Sequence, residues 1–139
     1  LLSPYFINKW SGKIINIHPS LLPSFKGLNA QKRAIQKGVK IAGCTVHFVN
    51  SEMDAGPIII QAAVPVLNND DESKLSKRIL TQEHKIYPEA LRLVANKKIR
   101  MIKDKIMFAK EKTVRLNKIL FLENNDFKSD SFICKIRKI

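Results

Sequence analysis

The chain has 139 residues, 45% of them apolar and 27% charged, the balance of one globular domain rather than of a disordered or collagen-like segment. Its longest apolar runs, such as Ile58-Ile59-Ile60, fall far short of the roughly 20 residues a membrane-spanning helix needs. Two cysteines, Cys44 and Cys134, without CxxC spacing fit reduced thiols in a cytoplasmic protein and speak against a disulfide framework or structural zinc.

The formal charge of +13 raises a nucleic acid or an anionic membrane as partner. The distribution weakens both. Residues 1–95 carry twelve basic and seven acidic side chains, residues 96–139 thirteen and five, so most of the excess lies in the tail. Nineteen of the basic residues are Lys and six Arg, with no patterned aromatic platform, whereas base readers lean on bidentate Arg and stacking. Nucleic-acid and membrane partners are therefore not expected. Leu1-Leu2-Ser3-Pro4-Tyr5 offers neither a basic n-region nor an initiator Met, so the front reads as incomplete rather than as a signal peptide.

In chain order, Gly12 to His18 is a short β-branched run closed by Pro19, which predicts a central buried strand. Asn16 and His18, two apart, then share one face near its C-terminal end, where open α/β sheets place ligands. Pro19 to Gly27 is a constrained loop rich in Pro and Ser. Asn29 is placed to cap a short helix running to Lys37, with Gly38 at the left-handed stop. Gly43 to Val49 and Ile58 to Val66 predict two strands about a polar turn at 50–56. From Asp70 to about Ala95, Leu75, Ile79, Ile86, Ala90, Leu91 and Val94 recur at helical spacing behind a solvated acidic start, Asp70-Asp71-Glu72. Pro88 is expected to kink that helix. One or two short strands follow before Phe108, and residues 109–139 show no usable period.

Asn16, His18 and Asp54 are the polar residues whose types suit acyl transfer. A histidine donates to a developing oxyanion, an amide adds a second donor, and a carboxylate fixes the imidazole's tautomer. Taken alone, a histidine at a strand end is more often structural than catalytic, and His47 and His84 carry the same bland reading. No G-x-S-x-G, no phosphate loop and no metal-ligand spacing occurs.

A longer pattern adds to this. Asn16-Ile17-His18-Pro19-Ser20-Leu21-Leu22-Pro23-Ser24-Phe25-Lys26-Gly27, then Gly43-Cys44-Thr45-Val46-His47-Phe48-Val49 and Met53-Asp54-Ala55-Gly56-Pro57-Ile58-Ile59-Ile60-Gln61, resembles the phosphoribosylglycinamide formyltransferase family. The likeness runs on through Thr81-Gln82-Glu83-His84-Lys85-Ile86-Tyr87-Pro88 and covers about residues 1–108, leaving 109–139 as a basic extension. It implies transfer of the formyl group of 10-formyltetrahydrofolate to the amine of glycinamide ribonucleotide, in de novo purine biosynthesis and without metal. Asn16, His18 and Asp54 match the family's catalytic positions. Leu1, Leu2, Phe6 and Ile7 match its pterin pocket, to which Asn16 and the loop Asn50, Ser51, Glu52, Met53 and Asp54 also belong. Leu80, Thr81, Gln82 and Glu83 match the segment that meets glycinamide ribonucleotide, with Glu83 the partner for its amine. Leu80 departs from the polar residue usual there, and Asn29 and Gln31 stand where some members have histidines.

The implied fold is an α/β formyltransferase domain with a mostly parallel mixed sheet flanked by helices. The nucleotide-binding half, with its phosphate turn, is absent; it would take on the order of 80 residues at roughly 30 per βαβ unit. The missing half, or a second copy of the chain, is thus an expected partner, and an exposed sheet edge is expected to make the chain alone poorly stable or self-associating. Formyltetrahydrofolate deformylases, which tend to have a second histidine where Pro19 stands, are a weaker match. So are methionyl-tRNA formyltransferases, which differ around Gly43 to Val49. An inactive folate-binding remnant is the alternative of another class.

Overall fold

The computed structural model describes residues 2–109. Leu1, Cys134 and all of the predicted extension but Ala109 lie outside the described residues. The order is α1 (Pro4–Lys9), β1 (Ile15–His18), α2 (Ala30–Gln36), β2 (Ile41–Phe48), β3 (Ile58–Pro65), α3 (Glu72–Ala95), β4 (Ile99–Ile102) and β5 (Lys105–Phe108).

Strands β1, β2 and β3 form one sheet in that order, and β4 and β5 a separate hairpin. The α/β architecture is as expected. The strand directions differ from the mostly parallel expectation, because among the described residues every pairing is antiparallel. Only residues 49–57 join β2 to β3, fewer than the dozen or more a parallel crossover requires. β1 was expected to be central, yet it lies at the edge of this sheet and β2 takes the centre. The burial follows: residues 42–48 of β2 are buried without a break, whereas β1 is mostly half-covered.

One face of the sheet is apolar. Ala42, Cys44 and Val46 of β2 pack with Ala62 and Val64 of β3 against Leu75, Ile79, Ile86 and Ala90 of α3, with Ile15 and Ile17 of β1 at the margin. Burying one such large aliphatic side chain contributes roughly 1.5–3 kcal/mol, so the β2–β3–α3 contact dominates the fold. By alternation, Asn16, His18, Thr45, His47 and Gln61 stand on the opposite face. The register brings Asn16 opposite His47, and His18 opposite Thr45, which is itself opposite Gln61.

Helix α3 begins later than predicted because Asp71 is its cap, accepting from the Lys74 amide at 2.8 Å. It continues through Pro88 unbroken to Ala95. Its acidic start is not simply solvated. Asp70 accepts from Arg78 Nη1 at 2.6 Å and Nη2 at 2.9 Å and from the Leu67 amide at 2.8 Å, so its carboxyl is held below the usual carboxylate range, first by the Arg78 hydrogen bonds. Helix α2 matches its prediction in extent, but Asn29 has left-handed backbone, φ 56°, and its side chain makes no capping bond. Gly38, at φ 65°, ends the helix as expected. Helix α1 was not foreseen. Ser3 caps it through the Phe6 amide at 3.2 Å, and no residue of it is buried. The β4–β5 turn carries φ 48° at Lys103 and 54° at Asp104, the pair of positive values a two-residue hairpin turn favours. No helix among the described residues is long and apolar enough to cross a membrane.

Candidate active site

Two loops meet over the polar face of the sheet, residues 19–29 after β1 and residues 49–57 after β2. The second can come close because of Gly56, where a Cβ would lie 1.8 Å from the Phe48 carbonyl oxygen. Asp54 sits just before it with φ 50°, a left-handed conformation that costs most side chains of order 1–2 kcal/mol and Asp somewhat less. This backbone delivers its carboxylate inward. Oδ2 accepts from the Gly27 amide at 2.8 Å and lies 3.3 Å from His18 Nδ1, while Oδ1 is 3.8 Å from His47 Nε2.

His18 is buried, and both of its ring nitrogens face oxygens. Besides Asp54, Nε2 lies 2.9 Å from the carbonyl oxygen of Phe25, another residue of positive φ, 54°. The imidazolium form donates to both acceptors, whereas the neutral ring can donate to one. His47 is also buried, and burial, the largest influence, pushes its pKa below the usual value; the Phe48 hydrogen bond and Asp54 act against this. Its Nδ1 lies 2.8 Å from the Phe48 carbonyl, so the neutral ring carries its proton there and turns a lone pair on Nε2 outward. Asn16 Nδ2 approaches that nitrogen at 3.4 Å, which sets the amide's orientation. Asn16 is otherwise exposed.

The structure thus brings Asn16, His18 and Asp54 together and adds His47, a strand histidine whose residue type alone does not mark it as functional. The missed signal was alternation: with Cys44 and Val46 inward, Thr45 and His47 must share the face of Asn16 and His18. Glu83 on α3 is half-buried, and burial pushes its carboxyl up, against the opposing influence of His84 and then His18. The same carboxylate helps burial push the Cys44 thiol up to about 12, so Cys44 is no nucleophile near neutrality.

The remaining predicted positions divide. Leu2 and Phe6 are exposed on and beside α1, and Ile7 is half-buried. Asn50 accepts from the Glu52 amide at 3.1 Å; Ser51, Glu52 and Met53 are exposed, with Glu52 3.5 Å from Lys26 Nζ of the facing loop. Leu80 and Thr81 are exposed on α3, but Gln82 lies on the buried, sheet-facing side of the helix, and its Oε1 has no hydrogen-bond partner among the described residues. A cavity of about 110 Å³ lies behind the first loop, between Ser20, Phe25, Gln31, Ala34 and Ile79. None of Asn16, His18 and Asp54 lines it. Among the described residues no group of three or more His, Cys, Asp or Glu is placed to hold a metal ion.

Comparison with known proteins gives a consistent result. The Formyl transferase family model matches residues 1–91. The trifunctional purine biosynthetic protein adenosine-3 of Homo sapiens is 53% identical over 112 residues, which are 80% of this chain and 11% of that protein. The crystal structure of phosphoribosylglycinamide formyltransferase from Anaplasma phagocytophilum superposes with a TM-score of 0.74 at 54% identity, covering 81% of this chain and 56% of that one. A formyltetrahydrofolate deformylase from Pseudomonas syringae pv. tomato is also similar, with a TM-score of 0.73 at 32% identity over 78% of this chain and 36% of that one. The chain therefore spans just over half the length of the Anaplasma enzyme and about a tenth of the human protein.

Proposed function

The chain belongs to the formyl transferase family, and from that premise we propose that it carries the catalytic and folate-binding part of a phosphoribosylglycinamide formyltransferase. The observation that carries the reading is the convergence of Asn16, His18 and Asp54 on one polar sheet face. The higher identity to the transferase than to the deformylase, 54% against 32%, favours an amine over water as acceptor.

In this reading the amine of glycinamide ribonucleotide attacks the formyl carbon of 10-formyltetrahydrofolate, and negative charge grows on the formyl oxygen. Asn16 keeps one Nδ2 hydrogen on His47 and has a second for that oxygen. His18 donates from Nε2, which requires the Phe25 carbonyl to give way to the formyl oxygen. Asp54 holds Nδ1 and accepts the amine proton, directly or through water, for delivery to the departing folate nitrogen. Glu83 orients the amine. The exposed apolar side chains of Leu2 and Phe6, with Ile7, and the polar loop Asn50 to Asp54 are of the types a flat pterin needs, and Leu1 is assigned to the same pocket by family resemblance alone. Leu80 contributes packing, and Thr81 and Gln82 shape the helix that presents Glu83. Residues 1–108 are the functional region and 109–139 an extension to it.

The test is formyl transfer by the 139-residue chain at saturating folate and amine, followed by formylated product. Substituting His18→Ala should lower the rate by about 10²–10³, the usual cost of one oxyanion donor. A near-normal rate in that variant would remove His18 from the mechanism. Formate release that needs no amine would move the assignment to a deformylase, and folate binding without turnover to an inactive binding module.

A further inference from the structure

We infer that Thr45, together with Gln61, is a positioning residue for this site: it braces the loop whose tip holds His18 and Asp54. The inference rests on the reading above and extends it to residues that touch no substrate. Thr45 is fully buried, and its hydroxyl uses every hydrogen-bonding capacity it has. Oγ1 donates to the Ser20 carbonyl at 2.7 Å and accepts from the Leu22 amide at 3.0 Å and from Gln61 Nε2 at 2.9 Å. Gln61 Nε2 spends its other hydrogen on the Leu22 carbonyl, also at 2.9 Å. Two side chains from β2 and β3 thereby satisfy three backbone groups of Ser20 and Leu22, in a loop that has no strand ladder to do so.

The register makes this a device of the site rather than of the core. His18, Thr45 and Gln61 stand opposite one another across the three strands, so the row that begins at the imidazole ends at the brace. Ser20 Oγ then bonds the Ser24 carbonyl at 2.5 Å, carrying the constraint to the two residues that matter, Phe25 with its carbonyl on His18 and Gly27 with its amide on Asp54. The apolar face of the sheet lies on the other side, so packing alone does not call for a hydroxyl at position 45. A valine there would keep the volume and leave Ser20, Leu22 and Gln61 each short of a partner.

The test uses the full chain and three variants: Thr45→Val, Thr45→Ser and Gln61→Leu. The readouts are the ¹⁵N signals of the His18 ring and hydrogen exchange of the Gly27 amide, compared at matched global stability, and the kcat and KM of formyl transfer. Thr45→Ser should match the wild type. Thr45→Val should shift the His18 ring signals, speed Gly27 exchange at least about tenfold, and lower kcat by about 10–100-fold, the scale of a small misplacement of reacting groups, with the folate KM within about twofold. If Thr45→Val does not fold, Gln61→Leu must produce the same ring shift. Unchanged ring signals and Gly27 exchange in the folded Thr45→Val or Gln61→Leu protein overturn the inference. A wild-type chain that transfers no formyl group overturns the functional reading instead, and the ring and exchange data still decide this one.

Discussion

Phe25 and Asp54 grip the His18 ring from its two nitrogens, at 2.9 and 3.3 Å, and both do so from left-handed backbone, φ 54° and 50°. Non-glycine residues hold such conformations only where their surroundings over-determine them. Here the Gly27 amide fixes Asp54 and links the two loops. Asp54→Asn separates charge from geometry, because Asn tolerates left-handed backbone and its Oδ1 can still accept from Gly27. We expect the variant to fold with a melting temperature within a few degrees of the wild type. The rate should fall about 100-fold, since a neutral amide neither supports the imidazolium nor takes the amine proton. Circular dichroism melts and formyl transfer rates check the two halves of the expectation, and a wild-type rate would show that the charge is idle.

His47 gives the fold a pH dependence whose sign can be worked out. Burial lowers its native pKa below the ordinary value of 6.5. The unfolded chain therefore binds a proton at position 47 before the native one does as pH falls, and stability rises with pH wherever the unfolded state holds more protons. The His47 contribution is fully present above pH 6.5 and declines as pH drops below it. Glu83, whose native pKa is raised above 4.5, works in the opposite sense at lower pH. Comparing urea midpoints of wild type and His47→Gln between pH 8 and 5 cancels Glu83. The difference should shrink toward pH 5, and a constant difference would mean that His47 does not titrate on unfolding.

Much of this arrangement was legible beforehand, and the reasons differ by element. Helix α3 was visible because Leu75, Ile79, Ile86 and Ala90 must all reach the sheet, and a buried face writes its period into the sequence. Asn16 and His18 were placed on one face by strand alternation alone, Asp54 stood out by its chemistry, and the resemblance joined the three into one site. Helix α1 left no such mark, since it buries nothing. The Asp70–Arg78 pair joins the residue before the helix cap to one in the second turn of the helix, so neither residue's neighbours in sequence announce it. The position of β1 at the sheet edge and the role of His47 depend on register and on which nitrogen carries a proton. The first is settled by contacts distant in sequence, such as Asn16 with His47 across 31 residues, and the second by the approach of Nδ1 to the neighbouring Phe48 carbonyl, a backbone geometry that residue types do not reveal.

Gly43 tests how closely the loop and the strands are fitted. A Cβ there would stand 2.0 Å from the Ala62 carbonyl oxygen and 2.8 Å from Leu21 Cδ2. The first of these is backbone of the paired strand and cannot move without opening the β2–β3 ladder. Gly43→Ala should therefore exceed the roughly 1–3 kcal/mol of ordinary overpacking and leave little folded protein at 37 °C. Chemical denaturation measures this. A loss below about 1 kcal/mol would mean that β2 and β3 sit farther apart than the register implies.

The last expectation concerns surfaces. Helix α1 buries none of its residues, and Tyr5 is 75% exposed, with Leu2, Phe6 and Trp10 also open to solvent beside it. The outer edge of β1 has no partner strand among the described residues. Apolar patches and unpaired edges of this kind favour association, and the charge of +13 opposes it at low ionic strength, where repulsion between copies is least screened. The chain should therefore sediment above its 15.9 kDa monomer mass, increasingly so as salt is raised from about 0.01 to 0.5 M. Tyr5→Lys with Trp10→Lys should shift the distribution toward monomer without changing the far-ultraviolet spectrum much, because α1 contributes no core. A wild-type chain that stays monomeric across that salt range would show that neither surface is adhesive.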